Sequence, residues 1–234
     1  MSPDRRQQLL RLLGPRGDDQ TSFLRRICDL TVSETAVSGA AVSVMGQPGA
    51  PNHYALVCAT DATSMVLDDL RLTTGVGPTT EAFTSGGPVL VSDLAASGSR
   101  WPGFTAEACD SGVAAVFSFP LQIGAVRIGV LELHRSTAGA LPDHSLNDVL
   151  TLADIATHIV LTDLDDGGGL TDVRWLSDIH AVVHQASGIV AVQLSLSVRD
   201  ALLRVRAHAF ANRTPLNEVA RRIVTRELRL ETES

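Results

Sequence analysis

The residues best suited to chemistry are a row of arginines near the C-terminus. Arg199, Arg204, Arg206, Arg213, Arg221, Arg222, Arg226 and Arg229 stand there against only Asp200, Glu218 and Glu227. A guanidinium is a planar fork that donates paired hydrogen bonds to phosphate oxygens and stacks on unpaired bases, so such a row suits a nucleic-acid partner. The local balance is +5, which leaves −12 for the rest of a chain whose net charge is −7. That asymmetry reads as a basic binding module on an acidic regulatory body; the plainer alternative is a solvated helical face.

Other chemistry is sparse. Cys28, Cys58 and Cys109 are widely spaced and form no C-x-x-C pair, so neither a disulfide framework nor a thiolate metal site is expected. No stretch has the spacing of a phosphate-binding loop, a dinucleotide-binding turn or a paired-histidine metal helix. No catalytic residue, metal or cofactor is therefore expected, and His53, His134 and His144 are ligand candidates only as any histidine is. No apolar run approaches the ~20 residues of a membrane span, and the N-terminus is polar, so a cytoplasmic protein with no membrane partner is expected.

The elements that must carry the arginines are readable by period. The long helix expected over residues 173–194 puts Leu176, Ile179, Val183, Ala186 and Val190 on one face. Ser197 with Asp200 forms a capping box for a second helix, and Thr214-Pro215 with Glu218 signals the start of a third. Upstream, Asp165-Asp166-Gly167-Gly168-Gly169 breaks the pattern as a joint. Before it, short runs at 40–44, 54–59, 89–91, 114–119 and 126–133 read as strands, the first two joined by a long turn. Helices are expected from Thr21, at 63–71, at 106–111 and at 143–164. Five antiparallel-compatible strands with helices form an α+β sandwich. The first twenty residues read as a short helix followed by a break, or as a loose tail.

The C-terminal residues resemble the ANTAR family, the three-helix RNA-binding domain of bacterial transcription antiterminators. The match lies in Gln185-Ala186-x-Gly188-Ile189, in Ala201 with Val205-Arg206-x-x-Ala209, and in Leu216-x-x-Val219-Ala220. Small residues, Gly188 among them, are expected to let the helices pack closely, while Arg204, Arg206, Arg213, Arg221 and Arg222 project outward to RNA. The family usually has Lys where this chain has Ser187, which removes a cation from a surface expected to face RNA. Leu202 and His208 also replace common aromatics.

The preceding half resembles a GAF domain of the kind fused to ANTAR in actinobacterial proteins. Gly77-Pro78, Ala82, 89–93, Trp101-Pro102-x-Phe104, Phe119-Pro120-Leu121 and Ile128-Gly129-Val130-Leu131 carry that resemblance. It implies a small-molecule pocket, for which Arg100, Trp101, Phe104 and Phe117 are the candidates; Phe117 and Phe119 also read as core strand residues. Some GAF-fold proteins reduce oxidised methionine through cysteines, and Cys58 with Cys109 is the pair to consider, although the spacing does not favour it.

The resulting division is a polar tail (1–20), a GAF-like sensor or dimerisation domain (21–164), a Gly/Asp-rich joint (165–171) and an ANTAR-like RNA-binding domain (172–230). The resemblance implies a non-enzymatic antitermination regulator, a homodimer, that binds hairpins in nascent transcripts. The alternative is a ligand-binding or dimerisation signalling protein in which RNA binding is weakened or lost.

Overall fold

The computed structural model describes residues 3–15, 20–46, 54–165 and 181–230. Five antiparallel strands, β1 (Gly39–Met45), β2 (Tyr54–Ala59), β3 (Val89–Val91), β4 (Ala115–Ile123) and β5 (Val126–Arg135), form one sheet in the order β2-β1-β5-β4-β3. The central pair is long because both strands alternate side chains that each face can bury. Phe117 opposes Leu133 and Phe119 opposes Leu131, while Val116 opposes His134 and Ser118 opposes Glu132. Successive residues point to opposite faces, so the first set and the second set belong to different layers.

Phe117, Phe119, Leu131 and Leu133 share a core with three helices: α2 (Gln20–Thr35) and α6 (Asp143–Asp165), which lie on the sheet, and α1 (Pro3–Leu13), which packs on those two. The opposite face is covered by α3 (Ala62–Thr74), α4 (Pro78–Ser85), a short 3-10 turn (Ala95–Ser97) and α5 (Phe104–Asp110), around Leu67, Phe83, Trp101 and Phe104. The N-terminal half is thus helix, sheet, helix. Burial on both faces explains why β4 and β5 are buried along nearly their whole length rather than at alternate positions.

Two differences from the sequence reading have simple causes. Residues 3–13 form the short helix, one of the two expectations for this stretch, and it is packed into the fold rather than standing apart as a polar tail. Leu9 and Leu13 are buried in the core, and Arg5 donates to Asp148 Oδ1 and Oδ2 at 2.9 and 2.6 Å and to Glu34 at 2.7 Å. Those two carboxylates hold the Arg5 guanidinium above its usual range. Helix α4 was hidden behind Gly77-Pro78, which looks like a breaker but places Pro at the first helical position, where no N–H is needed.

The C-terminal part is an all-helical unit of α7 (Ala181–Leu194), α8 (Val198–Ala211) and α9 (Leu216–Val224). Val183, Ala186, Val190, Ala201, Val205, Ala209, Val219 and Ala220 form its core. The expected small residues therefore do bring the helices together, apart from Gly188, where an added Cβ would meet nothing within 4 Å. Ser197 caps α8 as expected, accepting from Asp200 N–H. Thr214 does not cap α9: Pro215 occupies the cap position, and the Thr214 hydroxyl turns to the Asn212 carbonyl at 3.2 Å. The glycine joint and the expected helical residues 173–180 lie outside the described residues.

Candidate nucleic-acid interface and buried polar face

The six residues expected to face RNA divide into two groups. Arg204 on α8, Arg213 in the turn after it, and Arg221 and Arg222 on α9 are exposed. On α9 this follows from period: Leu216, Val219, Ala220 and Ile223 fill the inward stripe, so 221 and 222 point away from it. Arg206 and Ser187 correct the expectation. Ser187 is 1 % exposed, and its hydroxyl donates to the Val183 carbonyl at 2.8 Å. It belongs to the inner face of α7, since it lies four residues beyond buried Val183.

Arg206 is turned toward the N-terminal half. Helices α8 and α9 pack on α3, and the Arg206 Nη1 lies 3.2 Å from where a Cβ on Gly75 would stand. Gly75 ends α3 in the left-handed conformation, φ 75°, which glycine adopts without cost. Burial, and then the neighbouring Arg71 charge, lower the Arg206 pKa to about 10. Around this point Leu72 and Tyr54 join the core of the helical unit. The Phe210 ring rests against Gly103, which Thr74 also neighbours.

Asp69 completes the contact from the other side. Its carboxylate accepts the Leu216 N–H at 3.2 Å and approaches the Asn217 amide at 3.5 Å. A residue of the sheet domain thus supplies the acceptor that α9 lacks locally, at the helix end where negative charge is favoured. Beside it lies a cleft of about 510 Å³ bordered by Met65, Asp69, Glu107, Phe210, Arg213 and Asn217, among others.

The proposed ligand pocket does not assemble as expected. Trp101 and Phe104 are buried on the α3–α5 face, whereas Phe117 is buried on the α1–α2–α6 face. One sheet separates them. Arg100 is exposed, paired with Glu81 and laid over the Trp101 ring at 4.5 Å. Strand parity decides the point: Phe117 shares its face with Phe119, and both are core.

A different set of polar groups is buried on the α3–α5 face. Glu132 accepts from the Thr79 hydroxyl, and Thr79 lies 3.4 Å from Ser118 Oγ. Burial pushes the Glu132 carboxyl up to about 7, against the Thr79 hydrogen bond. Ser43 Oγ and Tyr54 Oη are 2.8 Å apart. The Arg71 guanidinium lies 3.5 Å over the Tyr54 ring, and burial lowers its pKa despite Asp68 nearby. These residues escaped the sequence reading, although Glu132 stands out as the one carboxylate inside the apolar run 126–133.

The thiols also pair differently. Cys28 and Cys58 Sγ are 3.3 Å apart, and contact with Cys58, with burial, raises the Cys28 pKa. Cys109 is half-buried on α5, packed against the opposite layer. His134 approaches Asp61 at 3.2 Å, His144 is exposed and His53 lies outside the described residues. Among the described residues, no three His, Cys, Asp or Glu side chains gather as a metal site. No single described helix is long and apolar enough to cross a membrane.

The solved structures are similar to this architecture. The GAF domain of a phosphoenolpyruvate–protein phosphotransferase from Coxiella burnetii superposes with a TM-score of 0.56 at 12% identity, covering 70% of this chain and 95% of that one. The GAF domain of the corresponding Acinetobacter protein gives 0.53 at 12% identity, over 72% and 99%. The N-terminal region has a GAF-like fold. No family model matches the sequence, and no curated protein is similar to it. At this identity the likeness shows the fold alone, a GAF-like scaffold on which a helical unit is docked.

Proposed function

We propose that this chain is a signalling regulator whose helical unit binds hairpin RNA in nascent transcripts, and whose GAF-like half controls that binding. In this reading, binding favours an antiterminator hairpin over a terminator, as the resemblance to ANTAR proteins implies. The observation that carries it is the helical unit itself. Its core is built from the small and apolar residues of the resemblance, and Arg204, Arg213, Arg221 and Arg222 remain on its outside. Homodimerisation through the helices flanking the glycine joint would present two such units to paired RNA loops and raise avidity.

The sensor role is supported by the buried polar set around Glu132, Thr79, Ser118 and Arg71, which suits a small polar molecule held between the sheet and α3–α4. A second reading, a ligand-binding signalling protein with weakened RNA binding, is favoured by Arg206, which is spent on the contact with α3.

Fluorescence anisotropy with a paired-hairpin RNA tests the proposal. The expected affinity falls steeply with salt, and Arg222→Ala weakens binding and lowers the salt slope by about 1. Binding that is absent, or indifferent to salt, would favour the second reading.

A further inference from the structure

Two thiols that are 30 positions apart in the chain meet in the core. Cys28 lies on α2 and Cys58 on β2, and their Sγ atoms are 3.3 Å apart. The helix packs directly on the strand, and both cysteines share one apolar cluster with Leu24, Ile27, Val42 and Val57. Sulfurs in contact at that distance need to approach by only about 1.2 Å to reach bonding distance. Nothing else in the fold has to be brought together.

The two thiols are not equivalent. Cys58 sits on β2, an edge of the sheet, and keeps 8 % exposure, whereas Cys28 has 0 %. With the Cys28 S–H as donor, the Cys58 sulfur also accepts the Val42 N–H and lies near the Arg25 charge; together these outweigh burial and Asp29 and lower the Cys58 pKa. Contact with Cys58, with burial, raises that of Cys28. The thiolate is the nucleophile, so Cys58 reacts first. Cys28, held against it, is placed to resolve what forms. Cys109 has neither advantage: it lies in the opposite layer, and burial, then Asp110 and Asp93, raise its pKa.

We propose that Cys28 and Cys58 form a peroxide-reactive dithiol that closes to a disulfide between α2 and β2. The Cys58 thiolate attacks one oxygen of hydrogen peroxide: an S–O bond forms, the O–O bond breaks, and the departing hydroxide is protonated to water. The Cys28 sulfur then attacks the Cys58 sulfur of the sulfenic acid. The S–S bond forms, the S–O bond breaks, and the hydroxyl leaves as water with the Cys28 proton. Two electrons pass from the thiols to the peroxide, and a thiol reductant reverses the change. Strand β2 begins with Tyr54, which packs on the core of the helical unit. The bond therefore braces the strand against which that unit rests. This site stands independently of the RNA-binding reading.

The test uses the full chain, reduced and freed of reductant, treated with stoichiometric hydrogen peroxide under native conditions and alkylated after unfolding. Of the three thiols, two should be lost to alkylation together. The mass should fall by about 2 Da, and dithiothreitol should restore it. Cleavage after Arg and Glu separates Cys28 from Cys58 at Glu34, so the bond appears as two joined peptides. Cys109→Ser should respond as the native protein does. Cys28→Ala should stop at the sulfenic acid, which dimedone traps on Cys58, and Cys58→Ala should give neither adduct nor link. Retention of all three alkylatable thiols, a link that involves Cys109, or a Cys58 acid that does not resolve in the native protein overturns the proposal. If either core variant fails to fold, the peptide maps of the native protein and Cys109→Ser still decide.

Discussion

Replacing Asp69 by Ala isolates the device that docks the helical unit. The carboxylate accepts from Leu216 N–H at 3.2 Å at the start of α9, where Pro215 offers no side-chain cap of its own. Loss of a capping acceptor costs about 1 kcal/mol, and loss of a negative charge beside a helix N-terminus costs about 0.3–1 kcal/mol more. Together they amount to roughly 1.5 kcal/mol, close to a tenfold change in an equilibrium. Local opening of the docked helix should therefore be about tenfold more populated in Asp69→Ala. Amide exchange at Leu216, Glu218 and Val219 should quicken by that factor, while the β4 and β5 amides keep native rates. Asp69→Asn, which keeps an acceptor and loses the charge, should show about half the effect in free energy. Equal exchange at α9 in all three proteins would refute the claim that the sheet domain caps this helix.

Three further substitutions test other parts of the structure. Glu132 has its pKa raised to about 7 by burial, above an unfolded value of about 4.3. Its contribution is thus fully present below about pH 4 and is lost as pH rises through 7, by about 4 kcal/mol. Glu132→Gln should accordingly gain stability over the native protein in urea titrations at pH 8 and not at pH 4; an equal difference at both would contradict the raised pKa. Ser187→Lys restores the residue common in the resembling family but buries a charge at a position 1 % exposed. It should destabilise the helical unit by about 3 kcal/mol in chemical denaturation, whereas native stability with tighter RNA binding would show that the position faces RNA. Arg5→Ala strands Asp148, whose side chain is 6 % exposed, and should cost about 2 kcal/mol. An unchanged midpoint would mean that the Arg5 ion pairs contribute nothing to the docking of α1.

Local patterns made much of the molecule legible. Short apolar runs between turn residues located the five strands of the described sheet, and a helical stripe located α6 from Leu152 to Val160. What failed was non-local. Alternation separates Phe117 from its strand neighbours but does not reveal which helices cover each face, so Trp101, Phe104 and Phe117 were grouped across the sheet. Arg206 and Ser187 could be placed on helices, yet only the packing of α7, α8 and α3 decides that both turn inward. The buried polar set was missed for a similar reason. Glu132, Thr79 and Arg71 come from three separate segments, and only the fold brings them to one face. Thr214 had every local mark of a cap, but the α9 terminus found its acceptor in Asp69, 147 residues away.

The most direct test of the account is sequencing of RNA crosslinked to this protein in its native cell, with Arg222→Ala and Arg206→Ala measured alongside. The exposed arginines should recover paired hairpins from nascent transcripts. Arg222→Ala should deplete those hairpins strongly, and Arg206→Ala should leave them enriched, because that side chain faces α3 rather than solvent. Recovery of no structured RNA, or the same RNA after Arg222→Ala, would contradict RNA binding by the helical unit.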